Sequence, residues 1–197
     1  LNQVDEYANY ASTISGGVNF DVNERDSLTY VAAERVYMRG ETAQAKESFT
    51  RYLQTFPEGA FSLNANYYMG LIEYSQKNYA QASGYLDKVL EYPANKYSEE
   101  ARAMSAEMAY TTQNYEKALE NYKHLREQAA TAERRQLAET GMLRSAAMLG
   151  NSEELIFVTT SILSDAKVSP ELENEARYYR AKALIAVNQP QEAMNDW

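Results

Sequence analysis

The chain has 197 residues, and 45% of them are hydrophobic, which is enough to build a packed interior and argues against a disordered chain. Its formal net charge is −9 and no dense run of Lys and Arg offsets it, so a nucleic acid, whose phosphates would be repelled, is not an expected ligand. The absence of cysteine excludes disulfides, thiolate zinc sites and a cysteine nucleophile, and no apolar stretch approaches the ~20 residues of a membrane span.

A short phrase recurs six times along the sequence. In each copy a turn is followed by a small or hydrophobic residue that opens a helix, and successive copies lie 36 to 38 residues apart. The marker residues are Tyr7, Ala45, Ala82, Ala118, Leu155 and Ala193. A sustained period of roughly 20 to 50 residues indicates a repeat array, in which each unit packs mainly against its neighbours.

The first elements in chain order are a lone helix and one complete repeat. Residues 1–17 are predicted to be the second helix of a preceding repeat, and residues 26–62 form repeat 1. The predicted first helix of repeat 1 ends at Gly40, a second begins near Ala45, and Pro57 follows it. The apolar stripe predicted for the first helix consists of Leu28, Ala32, Val36 and Met38.

Four more repeats follow, at 63–98, 99–135, 136–169 and 170–197. The last ends inside its second helix, so we interpret the chain as an excised or processed piece whose severed ends could self-associate through apolar surface. All four prolines fall between predicted helices or at helix starts, where they cost little. No alternation typical of strands is present, and the predicted fold is all-α.

The repeats carry the residues of a known family. Small residues stand where paired helices must approach closely, a Phe, Tyr or Leu follows four positions after the marker, and a proline often closes the second helix. The two sets that fit best are Ala33, Ala45, Phe49 and Pro57, and Gly70, Ala82, Leu86 and Pro93. The pattern resembles the tetratricopeptide repeat (TPR), although the usual period is about 34. This resemblance implies a right-handed α–α superhelix, or solenoid, of TPR-like hairpins.

The proline-containing linkers at 56–65 and 92–101 show a second likeness. They are similar to linkers of long-period TPR proteins of the bacterial cell envelope, such as the Tol-Pal coordinator and the lipoprotein of the outer-membrane β-barrel assembly machine. Such proteins are scaffolds, so this resemblance implies a non-enzymatic role in the periplasm or cell envelope.

The TPR resemblance also implies where a partner binds. In that family the first helix of each repeat lines a concave groove that holds a segment of a partner protein. The groove residues expected here are Tyr30, Glu34, Tyr37, Tyr67, Leu71, Tyr74, Glu107, Tyr110, Arg144, Tyr178 and Lys182. Tyrosine is common at binding hot spots, but these rings could instead fill the space between adjacent first helices. The Lys, Asn and Arg clamp of chaperone-tail adaptors is absent.

Catalytic, cofactor and metal sites are not expected. The single histidine, His124, lies beside a lysine on a helix surface, and no triad or glycine-rich phosphate loop is present. A hydrolase built on Glu34 and Glu107 is a formal alternative, because glycosidases need only two carboxylic acids. The main alternative to a protein scaffold is a helical-repeat protein that binds a glycan or small molecule in the tyrosine-lined groove.

Overall fold

The computed structural model describes residues 21–196 together with the isolated positions Glu6 and Tyr10. The α-helices within 21–196 are α1 (Val22–Met38), α2 (Thr42–Thr55), α3 (Ser62–Ser75), α4 (Tyr79–Glu91), α5 (Ser98–Thr111), α6 (Tyr115–Gln128), α7 (Ala132–Leu149), α8 (Ser152–Ser164), α9 (Pro170–Ala186) and α10 (Pro190–Ala193), followed by a 3-10 turn, Met194–Asp196. The predicted all-α fold is confirmed over this range. Apart from Glu6 and Tyr10, the predicted leading helix at 1–17 lies outside the described residues, as does Trp197. None of the described helices is long and apolar enough to cross a membrane.

Tight turns join consecutive helices as hairpins: α1 with α2, α3 with α4, α5 with α6, α7 with α8, and α9 with α10. Helices α3, α5 and α9 begin within one residue of the predicted repeat starts, whereas α1 and α7 each begin four residues earlier. Side-chain caps explain both earlier starts, since Asp21 and Thr131 accept hydrogen bonds from backbone N–H groups of the first turn. The hairpins' first helices are therefore α1, α3, α5, α7 and α9.

Each hairpin turn in the described range contains one residue with left-handed backbone. These residues are Gly40, Lys77, Gln113, Gly150 and Asn188, with φ between 60° and 77°. At the second turn the Lys77 N–H donates to the Tyr74 carbonyl at 2.9 Å, and the Asn78 N–H donates to the Glu73 carbonyl at 2.9 Å. The same pair of bonds recurs at the other four turns and is the Schellman motif. A shared backbone geometry therefore underlies the period, although only two of these turns carry glycine.

Small residues let the paired helices approach, as the sequence predicts. Ala33, Ala45 and Ala82 are fully buried. A Cβ placed on Gly70 would lie 2.5 Å from the Leu86 side chain. Leu86 of α4 therefore packs directly against the backbone of α3 at this position. Glycine is therefore required at this position by packing between the two helices.

The buried face of α1 differs from the predicted stripe. Leu28 is 39% exposed and Met38 is 65% exposed, whereas Tyr30, Ala33 and Asp26 are buried. The prediction chose the aliphatic residues, but the Tyr30 ring buries more apolar area, and Asp26 finds hydrogen-bond partners that offset its desolvation. Leu28 and Met38 were therefore assigned wrongly, whereas Val36 packs against the core as predicted.

The chain forms two compact units, residues 1–97 and residues 98–197. In the first unit a core forms around Tyr30, Ala33, Ala45, Phe49, Tyr52, Ala65, Met69 and Ile72. The main core of the second unit includes Leu119, Tyr122, Leu125, Met142, Leu143, Leu155, Val158 and Ile162. Each unit thus has its own apolar interior, and each is described separately below.

A hydrogen-bonded clasp holds the linker between α2 and α3 in the first unit. The buried Asp26 carboxylate accepts from the Tyr52 hydroxyl at 2.5 Å and from the Ala60 N–H at 2.7 Å. The Tyr52 oxygen in turn accepts from the Phe61 N–H at 3.0 Å. A Cβ on Gly59 would lie 2.6 Å from that oxygen, so only glycine leaves room for the clasp.

Candidate functional site

The expected groove residues lie on the first helices, but Tyr30 is a core residue. Its side chain is 3% exposed, and its ring stacks on Phe61 with centroids 4.5 Å apart. Its hydroxyl donates to Glu34 at 2.7 Å, and burial together with the Glu34 carboxylate raises the pKa of the Tyr30 phenol. Tyr30 is therefore not available at the surface of α1.

Four half-buried tyrosines form a contiguous row in the first unit: Tyr37, Tyr68, Tyr67 and Tyr97, here called the tyrosine row. The Tyr37 and Tyr68 ring centroids are 4.8 Å apart, and those of Tyr68 and Tyr67 are 6.0 Å apart. Tyr67 and Tyr97 stack at 4.1 Å with an angle of 18° between their planes. The structure thus brings the predicted residues Tyr37 and Tyr67 into one aromatic surface.

Sequence reasoning missed two members of the row. Tyr68 follows Tyr67 directly and was omitted because only one register of α3 was considered, yet its ring stacks on Phe49 at 5.4 Å and reaches Tyr37. Tyr97 comes from the linker before α5, where its hydroxyl accepts from the Asn64 side chain at 3.0 Å. The aromatic in that linker was visible in the sequence, but nothing local indicated that it would fold back onto α3.

Glu34 anchors one side of the row. Its Oε1 accepts from the Tyr30 hydroxyl at 2.7 Å and from the Tyr68 hydroxyl at 3.4 Å. Burial, followed by the Glu34 charge, raises the pKa of Tyr68 to about 12, so this phenol stays neutral at physiological pH. Glu34 acts as a hydrogen-bond acceptor that orients the ring of Tyr68.

The two remaining predicted positions of the first unit also lie on α3. Leu71 and Tyr74 are both half-buried. The Tyr74 ring lies 6.0 Å from that of Tyr79, across the hairpin turn. These two residues lie beyond the four members of the tyrosine row.

In the second unit, the predicted residues Glu107, Tyr110 and Arg144 lie around Tyr122. Burial is the main cause that raises the pKa of Tyr122 to about 12, and the nearby Glu107 adds to it while Arg144 opposes it. The Tyr110 ring packs edge-on against Tyr115 at 5.4 Å. A Cβ on Gly141 would lie 2.4 Å from the Tyr122 ring, so helix α7 accommodates that ring only at a glycine. The surface around Tyr122 therefore presents the exposed carboxylate of Glu107, the exposed guanidinium of Arg144 and the ring of Tyr110.

Arg144 is bound by a residue that the sequence reasoning did not select. Its Nε and Nη2 donate to the two carboxylate oxygens of Glu175 at 3.1 and 3.0 Å, a two-point contact between α7 and α9. This bond is the main cause that raises the pKa of Arg144. Arg144 and Glu175 also line a 400 Å³ groove between α7 and α9, together with Thr140 and Leu172. Glu175 thus neutralises the positive charge of the predicted groove residue Arg144.

Tyr178 and Lys182 form the last predicted pair, on α9. Tyr178 is 51% exposed and packs edge-on against Tyr179 with centroids 5.1 Å apart. The Lys182 Nζ lies 6.0 Å from the centre of the Tyr178 ring, at the outer limit of a cation–π contact. Both side chains are accessible from solvent.

The residues considered for catalysis have other contacts in the structure. Glu34, one acid of the formal hydrolase pair, accepts hydrogen bonds from two tyrosine hydroxyls. His124 lies near Glu127 at 3.8 Å on a solvated helix face. Among residues 21–196, Glu6 and Tyr10, no group of three or more His, Cys, Asp or Glu is placed to hold a metal ion.

Comparison with solved structures identifies the arrangement of hairpins. MamA residues 41 to the end from Desulfovibrio magneticus RS-1 superposes with a TM-score of 0.55 at 16% sequence identity, covering 87% of this chain and 90% of that one. A MamA RS-1 ArsTM double mutant gives 0.56 at 17% identity, over 87% and 89% of the two chains. A Podosopora anserina chain described as a kinesin light chain with nearly identical TPR-like repeats gives 0.52 at 14% identity, over 90% and 93%.

The chain has the TPR fold. At these identities the likeness concerns the fold alone, and it confirms the resemblance inferred from the repeat residues. No protein-family profile matches the sequence. The comparison with curated proteins likewise gives no match. The chain thus shares its fold with these structures at a sequence identity of only 14 to 17%.

Proposed function

We propose that the chain is a non-enzymatic scaffold that binds a segment of a partner protein on the faces formed by its first helices. The observation that best supports this is the tyrosine row of the first unit. Tyrosine offers a large contact area for little conformational entropy, and its hydroxyl can exchange water for a partner's polar group. A row of adjacent half-buried rings suits an extended or helical segment that places successive apolar side chains along it.

The second unit supports the same function with different chemistry. Its first helices present Glu107, Tyr110 and Tyr178, and the 400 Å³ groove lies beside the Arg144–Glu175 pair. A partner segment with polar groups of both signs would suit this surface, because it could exchange hydrogen bonds with that pair. Charged groups of this kind contribute more to orientation and specificity than to raw affinity.

We also propose that the protein works in the bacterial cell envelope. The support is the resemblance of linkers 56–65 and 92–101 to those of periplasmic TPR scaffolds. Fractionation of cells that produce the protein from its own gene tests this, with recovery in the periplasmic or membrane fraction expected. Recovery only with cytoplasmic markers would contradict it.

The binding surface is tested with a double variant, Tyr37→Ala/Tyr67→Ala, in a quantitative affinity isolation from the native host. The matched control is Tyr10→Ala, which removes a 65% exposed tyrosine that lies outside the row. A partner bound by the parent and the control should lose at least about 2 kcal/mol of affinity for the double variant, roughly thirtyfold in Kd. Circular dichroism must show that the double variant remains helical.

Two results would oppose the proposal. Equal recovery of every partner by the double variant and the parent, with a lowered melting temperature, would mean that the rings serve packing. Binding of a glycan, with no protein partner and with loss in the same double variant, would favour a carbohydrate-binding protein instead.

A further inference from the structure

A second groove lies in the first unit, on the side formed by the second helices. It has a volume of 660 Å³ and runs between α2 and α4. Its walls are the side chains of Leu53, Tyr85 and Tyr92, and the linker prolines Pro57 and Pro93 line it as well. None of these residues belongs to the tyrosine row. We refer to this feature as the α2–α4 groove.

Gly84 is the first observation that points to an occupant. It lies in the middle of α4 and lines the groove, yet glycine is unfavourable in a helix interior because it loses the most backbone entropy on folding. A Cβ at Gly84 would meet nothing within 4 Å, unlike one at Gly70, which would collide with Leu86. Internal packing therefore gives no reason for glycine at position 84. Close approach of another molecule to the backbone of α4 would give such a reason.

Asn66 is the second observation. It is 9% exposed and lines the groove, and its Nδ2 donates to the Ser62 carbonyl at 2.7 Å. That partner is an acceptor, so the nitrogen must face it and the orientation of the amide is determined. The Asn66 Oδ1 accepts no hydrogen bond from the residues that the structure describes. This oxygen keeps some access to solvent and can therefore accept a hydrogen bond from a donor on an occupant.

The rim supplies a charge preference. Lys88 pairs with Glu91 at 3.1 Å, whereas the exposed Glu58 forms no ion pair within the described part of the chain. The groove therefore has an excess negative charge at Glu58, on a protein whose net charge is −9. A basic residue on the occupant would complement it.

We propose that the α2–α4 groove docks an amphipathic helix of a partner protein, with its apolar face on Leu53 and Tyr85, small or apolar side chains over Gly84, and a basic residue near Glu58. A helix satisfies its own backbone hydrogen bonds, whereas an extended segment would bring unpaired N–H and C=O groups against apolar walls. A side-chain donor on the helix, such as Ser or Gln, would reach the Asn66 Oδ1. This surface is distinct from the first-helix faces proposed above.

The test is a selection from a display library of 20-residue helical peptides, varied on one face and applied to the whole chain. Three variants are compared with the parent: Gly84→Gln, which fills the groove with a helix-favouring side chain, Glu58→Lys, and the matched control Tyr67→Ala on the other surface. The expected peptides carry an apolar stripe with a Lys or Arg. They bind the parent and Tyr67→Ala alike, and lose about tenfold or more in affinity for Gly84→Gln and for Glu58→Lys.

A spectroscopic readout makes the location explicit. With ¹⁵N-labelled protein, a selected peptide should shift the amide resonances of Gly84 and Tyr85 and leave those of the tyrosine row unchanged. Failure to enrich any helical peptide, equal binding to Gly84→Gln, or enrichment of extended or acidic sequences would overturn the proposal. None of these results depends on whether the tyrosine row binds a partner.

Discussion

The Tyr52 hydroxyl donates a 2.5 Å hydrogen bond to the Asp26 carboxylate across 26 residues of sequence, joining α2 to α1 inside the first unit. The other Asp26 oxygen accepts from the Ala60 N–H, so one buried carboxylate ties two helices to the following linker. The start of α3, which carries the tyrosine row, is therefore positioned by a polar group in the core. This relationship leads to the first prediction.

Tyr52→Phe should destabilise the protein by about 1–3 kcal/mol, because the Asp26 Oδ1 and the Phe61 N–H each lose a buried partner. Urea unfolding followed by circular dichroism measures the change. Tyr92→Phe, at an exposed site, is the control and should leave stability within about 0.5 kcal/mol of the parent. An equally small effect at Tyr52 would mean that the clasp contributes nothing.

The hairpin turns offer a stabilising substitution. Lys77 and Gln113 are exposed and hold φ near +60°, a conformation that costs an L-residue about 1–2 kcal/mol. Lys77→Gly or Gln113→Gly should therefore raise the free energy of unfolding, by roughly 0.5–1 kcal/mol after the greater chain entropy of glycine is subtracted. Lys77→Ala keeps the strain and should leave stability unchanged. A loss of stability on introducing glycine would show that the side chains matter more than the turn.

Replacing the two helix-interior glycines Gly141 and Gly84 by alanine should change the stability of the protein in opposite directions. Gly141→Ala should destabilise by about 1–3 kcal/mol, because the new methyl would lie 2.4 Å from the buried Tyr122 ring. Gly84→Ala should stabilise by about 0.5–1 kcal/mol, because its Cβ meets open space. Thermal unfolding of the two variants side by side checks the contrast, and a shift of the same sign in both would contradict this account.

Tyr122 should make stability sensitive to alkaline pH. Its folded pKa is raised to about 12, above the ordinary value of about 10, so the folded state holds the phenol proton more tightly than the unfolded state does. The contribution to stability is complete below about pH 10 and is lost as the pH rises from 10 toward 12. Tyr122→Phe should flatten the decline of unfolding free energy across that window. A curve parallel to the parent's would exclude this role.

Glu73 should produce a dependence on acid. Burial alone would raise the pKa of this carboxyl, but contacts from Lys46 at 2.8 Å and Asn78 at 2.9 Å outweigh burial and lower it. Stability from Glu73 is therefore present above the unfolded value of about 4.3 and is lost as the pH falls through the lower folded value. Glu73→Gln should therefore lose less stability than the parent does as the pH falls below about 4.3. An unchanged acid profile would contradict this assignment.

The sequence predicted the hairpins well because a small set of positions carries the period. Gly70 and the alanines at helix contacts are dictated by close approach, and Pro57 and Pro93 lie just beyond the helices they follow. The caps at Asp21 and Thr131 were the local signals left unused, and they account for the four-residue shifts at α1 and α7.

The candidate surfaces were less predictable than the hairpins. Tyr30 belongs to the core because Phe61, 31 residues away, folds back onto its ring, and no local pattern encodes that contact. Tyr97 and Glu175 join their surfaces in the same way, from a linker and from a neighbouring hairpin. Periodicity assigns a residue to a helix face, whereas the burial of that residue depends on which distant segments of the chain pack against it.

The left-handed residue in each hairpin turn has a consequence for how these repeats can diverge. Both hydrogen bonds of the Schellman motif join main-chain groups, and the bend occurs with glycine, lysine, glutamine or asparagine at the left-handed position. Individual copies can then accumulate replacements independently while each bend is preserved. Repeats of this kind can therefore differ in residue identity at the turn and still keep the same interval between bends.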